Sequence, residues 1–378
     1  MTDRRPALIG AAMIMLLALA LLTTSTGRAS GTKAPVAVAK RVVKTNAAVG
    51  LSIDSRGRLL YGEHVSGEIV RLSGGKKQVL ARISVASNIE PGLLGLATND
   101  SGRVWVSYTT SQGGCPDPTE FKSDPVVVDA ICVWRFKPSG SKLKPDKLIF
   151  SAYPNGWRSH VGGGLGFGPD GALYFGIGDL GNSDSPSIGP NRSQDLSVPF
   201  GKILRLNPNA TNRGATGNPK TCGNADNSVQ RRIVDKRIYA CGFRNPFSFD
   251  WDLAGRLWVA DVGDSCDEIN RVSAGVNFGW QPPRTDCAGA GAGKPILKLK
   301  NRATPSGMAI PKSKAAGSAR GAVFFGVFRD SLIRRYAIRE KKLSTVSGTS
   351  GQAGWSLLAS GKYLYMSNGD EISRLNLR

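Results

Sequence analysis

The chain has 378 residues, enough for one large domain or two ordinary ones, and 40% of them are hydrophobic, which allows a substantial core. Lys and Arg total 50 against 28 Asp and Glu, for a formal net charge of +22. The basic residues are dispersed, with no basic run interleaved with aromatics. That excludes nucleic acid as the natural partner and leaves an anionic cell-wall polymer, a membrane surface or an acidic ligand in a positive cavity.

Arg4 and Arg5 precede an apolar run from Ala7 to Leu22. This is the pattern of a secretory leader, and the run is short for a membrane span. The stretch Thr26-Gly27-Arg28-Ala29-Ser30 lacks a clean cleavage signal, so residues 1–29 are a signal peptide or an uncleaved N-terminal anchor. Either implies export, to the extracellular space or the cell surface. Residues 30–45 read as a linker of small and basic residues, and the folded domain is expected over 46–378. Six cysteines, all after residue 110 and with no C-x-x-C pair, agree with export and point to disulfides rather than a metal cluster. Pairing by sequence neighbour gives Cys115–Cys132, Cys222–Cys241 and Cys266–Cys287, one of the many connectivities that six cysteines allow.

Along the chain one pattern recurs: a polar or acidic pair, a Gly turn, then an aromatic and aliphatic strand. It runs through Asp54–Tyr61, Asp100–Val106, Pro169–Phe175, Leu253–Val259, Ala319–Phe325 and Ala359–Tyr365. Each copy is followed by an apolar run carrying one Arg: Arg71, Arg135, Arg205, Arg271, Arg335 and Arg374. The repeat is therefore a β-hairpin with loops of variable length, and its Arg is read as a solvent-facing strand residue. Six hairpin units that cannot bury both faces alone predict an all-β fold, a six-bladed β-propeller. A propeller can hold a cofactor in its channel or serve as a binding platform without chemistry.

The stretch 158–182 stands apart. It holds His160, one of only two histidines, followed by Gly162-Gly163-Gly164, a turn at Pro169-Asp170-Gly171, the strand Ala172–Ile177, and Gly178-Asp179. A near-neutral ring at the mouth of a Gly-rich loop suits proton transfer, although histidines in loops are often bystanders.

His160-x-Gly162-Gly163 with Gly168-Pro169-Asp170-Gly171 and Gly178-Asp179 resembles the soluble quinoprotein glucose/sorbosone dehydrogenases, including the bacterial aldose sugar dehydrogenases. Further segments resemble the family in order: Glu90–Ala97, Gln194-Asp195-Leu196 with Gly201–Arg205, Tyr239–Pro246, Asp261-Val262-Gly263 through Asp267–Asn270 to Asn277-Phe278-Gly279-Trp280, and Pro305–Ala309. The resemblance spans roughly residues 46–378. It implies oxidation of the anomeric hydroxyl of a small-molecule aldose sugar to the lactone, with hydride passing to pyrroloquinoline quinone (PQQ), calcium holding that cofactor, and an external electron acceptor that the sequence does not name.

By this resemblance His160 is the general base. Arg244 is both catalytic and cofactor-binding, and Asn245 contacts the quinone. Lys312 and Arg329 are the C-terminal cofactor-binding basics, and the carbonyls of Gly263 and Asp264 are the calcium site. Read without the family, Arg244-Asn245-Pro246 is a turn capping a blade, Asp267-Glu268 a strand-entry turn, and His64 a rim residue. Two departures matter. Gly164-Leu165 stands where the family often has G-G-R-L. Ser159 stands where active members can carry an acid before the histidine, which predicts a less basic and less firmly oriented imidazole. Related propellers bind proteins without quinone chemistry, so the alternative is a secreted non-catalytic propeller that binds carbohydrate or protein.

Overall fold

In a computed structural model, the residues described are 38–378 apart from 88–89, 121–127, 154–158, 182–191, 224–233, 265, 281–292 and 301–302. The expected leader lies outside them. Among the described residues no helix is long and apolar enough to cross a membrane.

Strand β1 (Lys40–Lys44) is first in the chain and last in its sheet. Blade one then comprises β2 (Ala48–Ile53), β3 (Leu59–Glu63), β4 (Glu68–Ser73) and β5 (Lys76–Arg82). Blade two is β6 (Leu93–Thr98), β7 (Val104–Thr110), β8 (Ala130–Ser139) and β9 (Lys142–Ala152). Blade three is β10 (Leu165–Phe167), β11 (Leu173–Ile177), β12 (Lys202–Leu206) and β13 (Ile238–Cys241). Blade four is β14 (Pro246–Trp251), β15 (Leu257–Asp261), β16 (Cys266–Val272) and β17 (Leu297–Lys300). Blade five is β18 (Pro305–Ala309), β19 (Val323–Val327), β20 (Leu332–Ala337) and β21 (Lys342–Thr345). Blade six is β22 (Ser356–Ser360), β23 (Tyr363–Ser367) and β24 (Glu371–Asn376), completed by β1 as its outer strand.

The propeller expected from the repeat is therefore the fold. The first strands of the blades, β2, β6, β10, β14, β18 and β22, neighbour one another in a closed ring. Residues 40–44, expected in the linker, instead pair antiparallel with β24, Lys40 opposite Arg374. Joining the N-terminal strand to the last blade closes the ring and covers a strand edge that would otherwise be exposed.

In blades one and four the recurring Gly turn has a side-chain cause. Asp54 Oδ1 accepts from the backbone N–H of Arg56 and Arg58, both at 2.9 Å, and Arg58 Nε binds its other oxygen at 2.7 Å. Asp252 does the same for Ala254 and Arg256 at 2.9 and 3.0 Å. An aspartate that binds its own backbone two residues on fixes the turn, and the following glycine, φ 74° at both Gly57 and Gly255, takes the left-handed position. The strands after the turns of blades one to five are buried along their whole length, as in LWVAD of β15 and VFFGV of β19. A second strand is covered by adjacent blades on both faces, so it does not alternate with polar residues.

Trp105, Trp258, Phe136, Phe150 and Phe175 fill the layers between blades. Two of the expected disulfides form, Cys115–Cys132 and Cys222–Cys241. Cys266 is also disulfide-bonded, and its expected partner Cys287 lies outside the described residues.

Candidate active site

Every inner strand starts at one rim of the disc and every second strand ends there, because the two are antiparallel. The segments just before β6, β10 and β14 and just after β11 and β15 therefore meet on that rim. They carry Glu90, His160, Arg244-Asn245, Asp179 and Val262-Gly263-Asp264.

His160 is buried, 6% exposed, and adopts φ 52°, a left-handed backbone uncommon for any residue but Gly. Two things hold it there. Glu90 accepts from the backbone N–H of His160 and Val161. Gly178 lets the end of β11 approach, since a Cβ on it would lie 1.9 Å from the His160 carbonyl oxygen. Gly162 follows in the same loop at φ 69°, where a Cβ would sit 2.5 Å from the Gly176 carbonyl oxygen. The glycines after the histidine are thus what allows the loop to lie against β11.

The imidazole Nδ1 lies 2.6 Å from Asp179 Oδ1, and Asp179 is 1% exposed. A carboxylate only accepts, so this contact places the proton on Nδ1 and leaves the lone pair on Nε2. Asp179 is itself held by two donors: Gly181 N at 3.0 Å to Oδ1 and Trp280 Nε1 at 2.8 Å to Oδ2. This corrects the expectation drawn from Ser159. The imidazole has an orienting acid, placed 19 residues later in the chain rather than beside it.

Arg244 and Asn245 are docked on buried Asp261, whose two oxygens accept from Arg244 N at 3.2 Å and Asn245 N at 2.8 Å. Asn245 Oδ1 accepts from Gly162 N at 3.0 Å, tying the start of blade four to the histidine loop. The turn-cap reading and the site reading of this segment are thus both served by one geometry. Arg244 Nη1 donates to the Val262 carbonyl at 3.2 Å, and its guanidinium stands 5.7 Å over the Trp280 ring. Its Nε–H is buried without a hydrogen-bond acceptor. A buried, unmatched guanidinium donor is costly to leave unmade and marks where an anionic oxygen fits.

Burial raises the Glu90 carboxyl above its usual range, against the charges of His160 and Arg244 and the two N–H donors. Burial also pushes Asp261 well up, helped by the charge of Glu268 and opposed by the Arg244 and Asn245 N–H groups. Asp267, raised by burial, accepts from Gly263 N at 2.9 Å and Thr304 N at 2.7 Å. It lies within β16 and braces the Gly263 turn, close to its reading as a strand-entry residue.

The structure brings His160, Arg244, Asn245, Gly263 and Asp264 to one rim, the last two beside Arg244 through the Val262 carbonyl. Arg329 follows β19 on the same rim, in blade five, and is exposed. Lys312 is not part of the cluster. It follows β18 at the far rim, where its Nζ pairs with Asp250 Oδ1 at 2.6 Å, so its assignment as a cofactor contact is corrected. His64, expected on the rim, is 9% exposed with Nδ1 2.8 Å from the Leu93 carbonyl oxygen. Asp179, Glu90 and Trp280 were each inside a recognised motif, but their contacts arise from chain segments far apart in sequence. Among the described residues no group of three His, Cys, Asp or Glu side chains is placed to hold a metal. The carbonyls of Gly263 and Asp264 are of the oxygen type that calcium takes.

Comparison with known proteins matches residues 46–357 to the glucose/sorbosone dehydrogenase family. The chain belongs to this family. It is 37% identical over 139 residues to the HIPL1 protein of Arabidopsis thaliana, a stretch covering 33% of this chain and 19% of that one. It is 27% identical over 236 residues to quinoprotein glucose dehydrogenase B of Acinetobacter calcoaceticus, 58% of this chain and 46% of that one. The matched stretches thus span less than half the length of either curated relative. The PQQ-bound aldose sugar dehydrogenase of Streptomyces coelicolor superposes with a TM-score of 0.67 at 25% identity, covering 92% of this chain and 99% of that one. The apo-form aldose sugar dehydrogenase of Escherichia coli gives 0.70 at 21% identity over 90% of this chain and 99% of that one, a likeness of fold. Within the glucose/sorbosone dehydrogenase fold, the polar cluster around His160 occupies the rim where the inner strands begin.

Proposed function

We propose that the protein is an exported PQQ-dependent dehydrogenase that oxidises the anomeric hydroxyl of an aldose at the rim carrying His160 and Arg244. The observation that carries this reading is the buried His160–Asp179 pair on the same rim as the unmatched Arg244 Nε–H. The fit to PQQ rests on that orphaned donor, since a tricarboxylate quinone brings the anionic oxygens it lacks. When bound, PQQ supplies the two-electron acceptor for hydride leaving the anomeric carbon.

The chain's own residues do the rest. His160 Nε2 takes the hydroxyl proton, and Asp179 stabilises the imidazolium that results. Arg244 donates to the cofactor oxygen on which charge develops, while Asp261 and Asn245 hold Arg244 in register with the histidine loop. The carbonyls of Gly263 and Asp264 are the oxygens that suit calcium. Arg329, on the same rim, adds positive potential for the carboxylates. A mere docking surface has no need of a buried, tautomer-fixed imidazole.

The test is reconstitution of the purified protein with PQQ and calcium, followed by a dye-linked assay over a panel of aldoses. The expected result is quinone absorbance that stays with the protein and turnover of at least one sugar, lost in His160→Ala with PQQ still bound. Absence of PQQ binding by the folded protein would exclude the reading.

A further inference from the structure

We infer that Trp280 is a positioning residue for this reaction, holding the His160–Asp179 pair and the Arg244 guanidinium on one indole frame. The inference rests on the proposed function for its kinetic consequence, but its geometry stands on contacts of the chain itself. Asp179 uses Oδ1 for His160 and Oδ2 for Trp280, at 2.6 and 2.8 Å. With both oxygens engaged, the carboxylate cannot rotate about its terminal bond without breaking one of the two. The indole N–H therefore fixes the carboxylate plane, and through it the direction in which Nε2 of His160 presents its lone pair. The same ring lies under Arg244, 5.7 Å from its Cζ, so one side chain touches both the partner of the base and the cation, in addition to the backbone ties between their segments.

The indole is anchored accordingly. Its backbone N–H donates to the Gly242 carbonyl at 2.9 Å, two residues before Arg244. Its carbonyl accepts from Gln194 Nε2 at 2.9 Å. Gln194 also exchanges a pair of hydrogen bonds with Asn277, at 3.1 Å to its Oδ1 and 2.6 Å from its Nδ2. Three blade-three and blade-four segments thus converge on Trp280, although the residue is only partly buried and a space-filling role alone would not need a fixed N–H.

Two substitutions separate the N–H from the ring. Trp280→Phe keeps a ring under Arg244 and lacks the donor. Trp280→His places Nε2–H the same number of bonds from Cα as the indole Nε1–H. In the reconstituted enzyme Trp280→Phe is expected to lower kcat about tenfold to a hundredfold, the loss of one hydrogen bond to a charged group, with KM and PQQ affinity little changed. Trp280→His is expected to recover most of that loss. Equal or better activity of the Phe variant would mean that the ring only fills space, and the inference falls. Trp280→Leu, which also lacks a donor, is compared with Trp280→His if the Phe variant does not fold.

A second readout needs no cofactor. The chain has two histidines, so 15N-histidine spectra of the apoprotein, assigned with His160→Ala, report His160 directly. The Nδ1 proton should exchange with water faster in Trp280→Phe than in the wild type. An unchanged exchange rate overturns the inference whether or not PQQ turnover is observed, which keeps it distinct from failure of the proposed function.

Discussion

Replacing Asp179 with Asn tests the base most sharply, because the structure counts what the amide must satisfy. The carboxylate accepts three hydrogen bonds: His160 Nδ1 at 2.6 Å and Gly181 N at 3.0 Å on Oδ1, and Trp280 Nε1 at 2.8 Å on Oδ2. An asparagine has one acceptor oxygen. If that oxygen faces His160 and Gly181, the amide NH2 meets the indole N–H, donor against donor. If it faces Trp280, the NH2 points at Nδ1 and at Gly181 N, which drives the imidazole proton onto Nε2 and removes the basic atom. Either orientation leaves a buried donor unmatched, at about 1–3 kcal/mol of stability. Loss of the charged partner and of the tautomer costs about 10²–10⁴ in kcat, or ~3–5 kcal/mol of transition-state stabilisation. The assay is steady-state dye-linked turnover after reconstitution, with PQQ absorbance and a thermal melt on the same sample. A variant that melts a few degrees lower, keeps PQQ and loses kcat in that range agrees with the reasoning. Turnover within about threefold of the wild type, with PQQ bound, refutes it.

Arg244→Ala should weaken PQQ binding about tenfold to a hundredfold while the blade-four entry stays docked on Asp261 through backbone N–H groups, and an absorbance titration with unchanged affinity would contradict the assignment. Gly162→Ala should destabilise the fold by ~2 kcal/mol or more in a denaturant melt, because its φ of 69° disfavours a side chain and the new Cβ would lie 2.5 Å from the Gly176 carbonyl oxygen. Burial pushes the Glu268 carboxyl up to about 7, with the charge of Asp267 adding to it and Asn270 and Lys298 opposing. A carboxyl whose folded value is raised binds more protons in the folded state. Stability from this group is therefore present at acid pH and lost as pH rises towards 7, by at most ~3 kcal/mol. Glu268→Gln should flatten apoprotein stability between about pH 4.5 and 7, and an unchanged slope in that window would argue against the buried charge.

The turns were legible in the chain from their repeated glycine, and at Asp54 and Asp252 from an aspartate that binds its own backbone in the same way. The inner strands were not, since LGF of β10 and PSGMA of β18 lie where adjacent blades crowd and show no period of two. Residues 40–44 read as linker because KRVVK is basic and partly exposed; only pairing with β24 makes it a strand. Lys312 follows a family motif by a few residues, but β18 carries the chain across the disc in that distance, so nearness in sequence became opposite rims. The acid for His160 was sought beside it in the chain, whereas a positive φ at His160 turns its ring toward the end of β11, where Asp179 waits. Glu90 and Trp280 share that origin: their partners sit in other blades, and only closure of the ring brings them together.

The account stands or falls on whether His160 and Arg244 face a common hollow that accepts PQQ. A crystal structure of the protein grown with PQQ and calcium measures this directly. The account predicts quinone density on the His160 rim, with an anionic oxygen within hydrogen-bond distance of Arg244 Nε and the cation on the Gly263 and Asp264 carbonyls. Quinone bound elsewhere on the disc, or an unliganded rim at saturating PQQ, would contradict it.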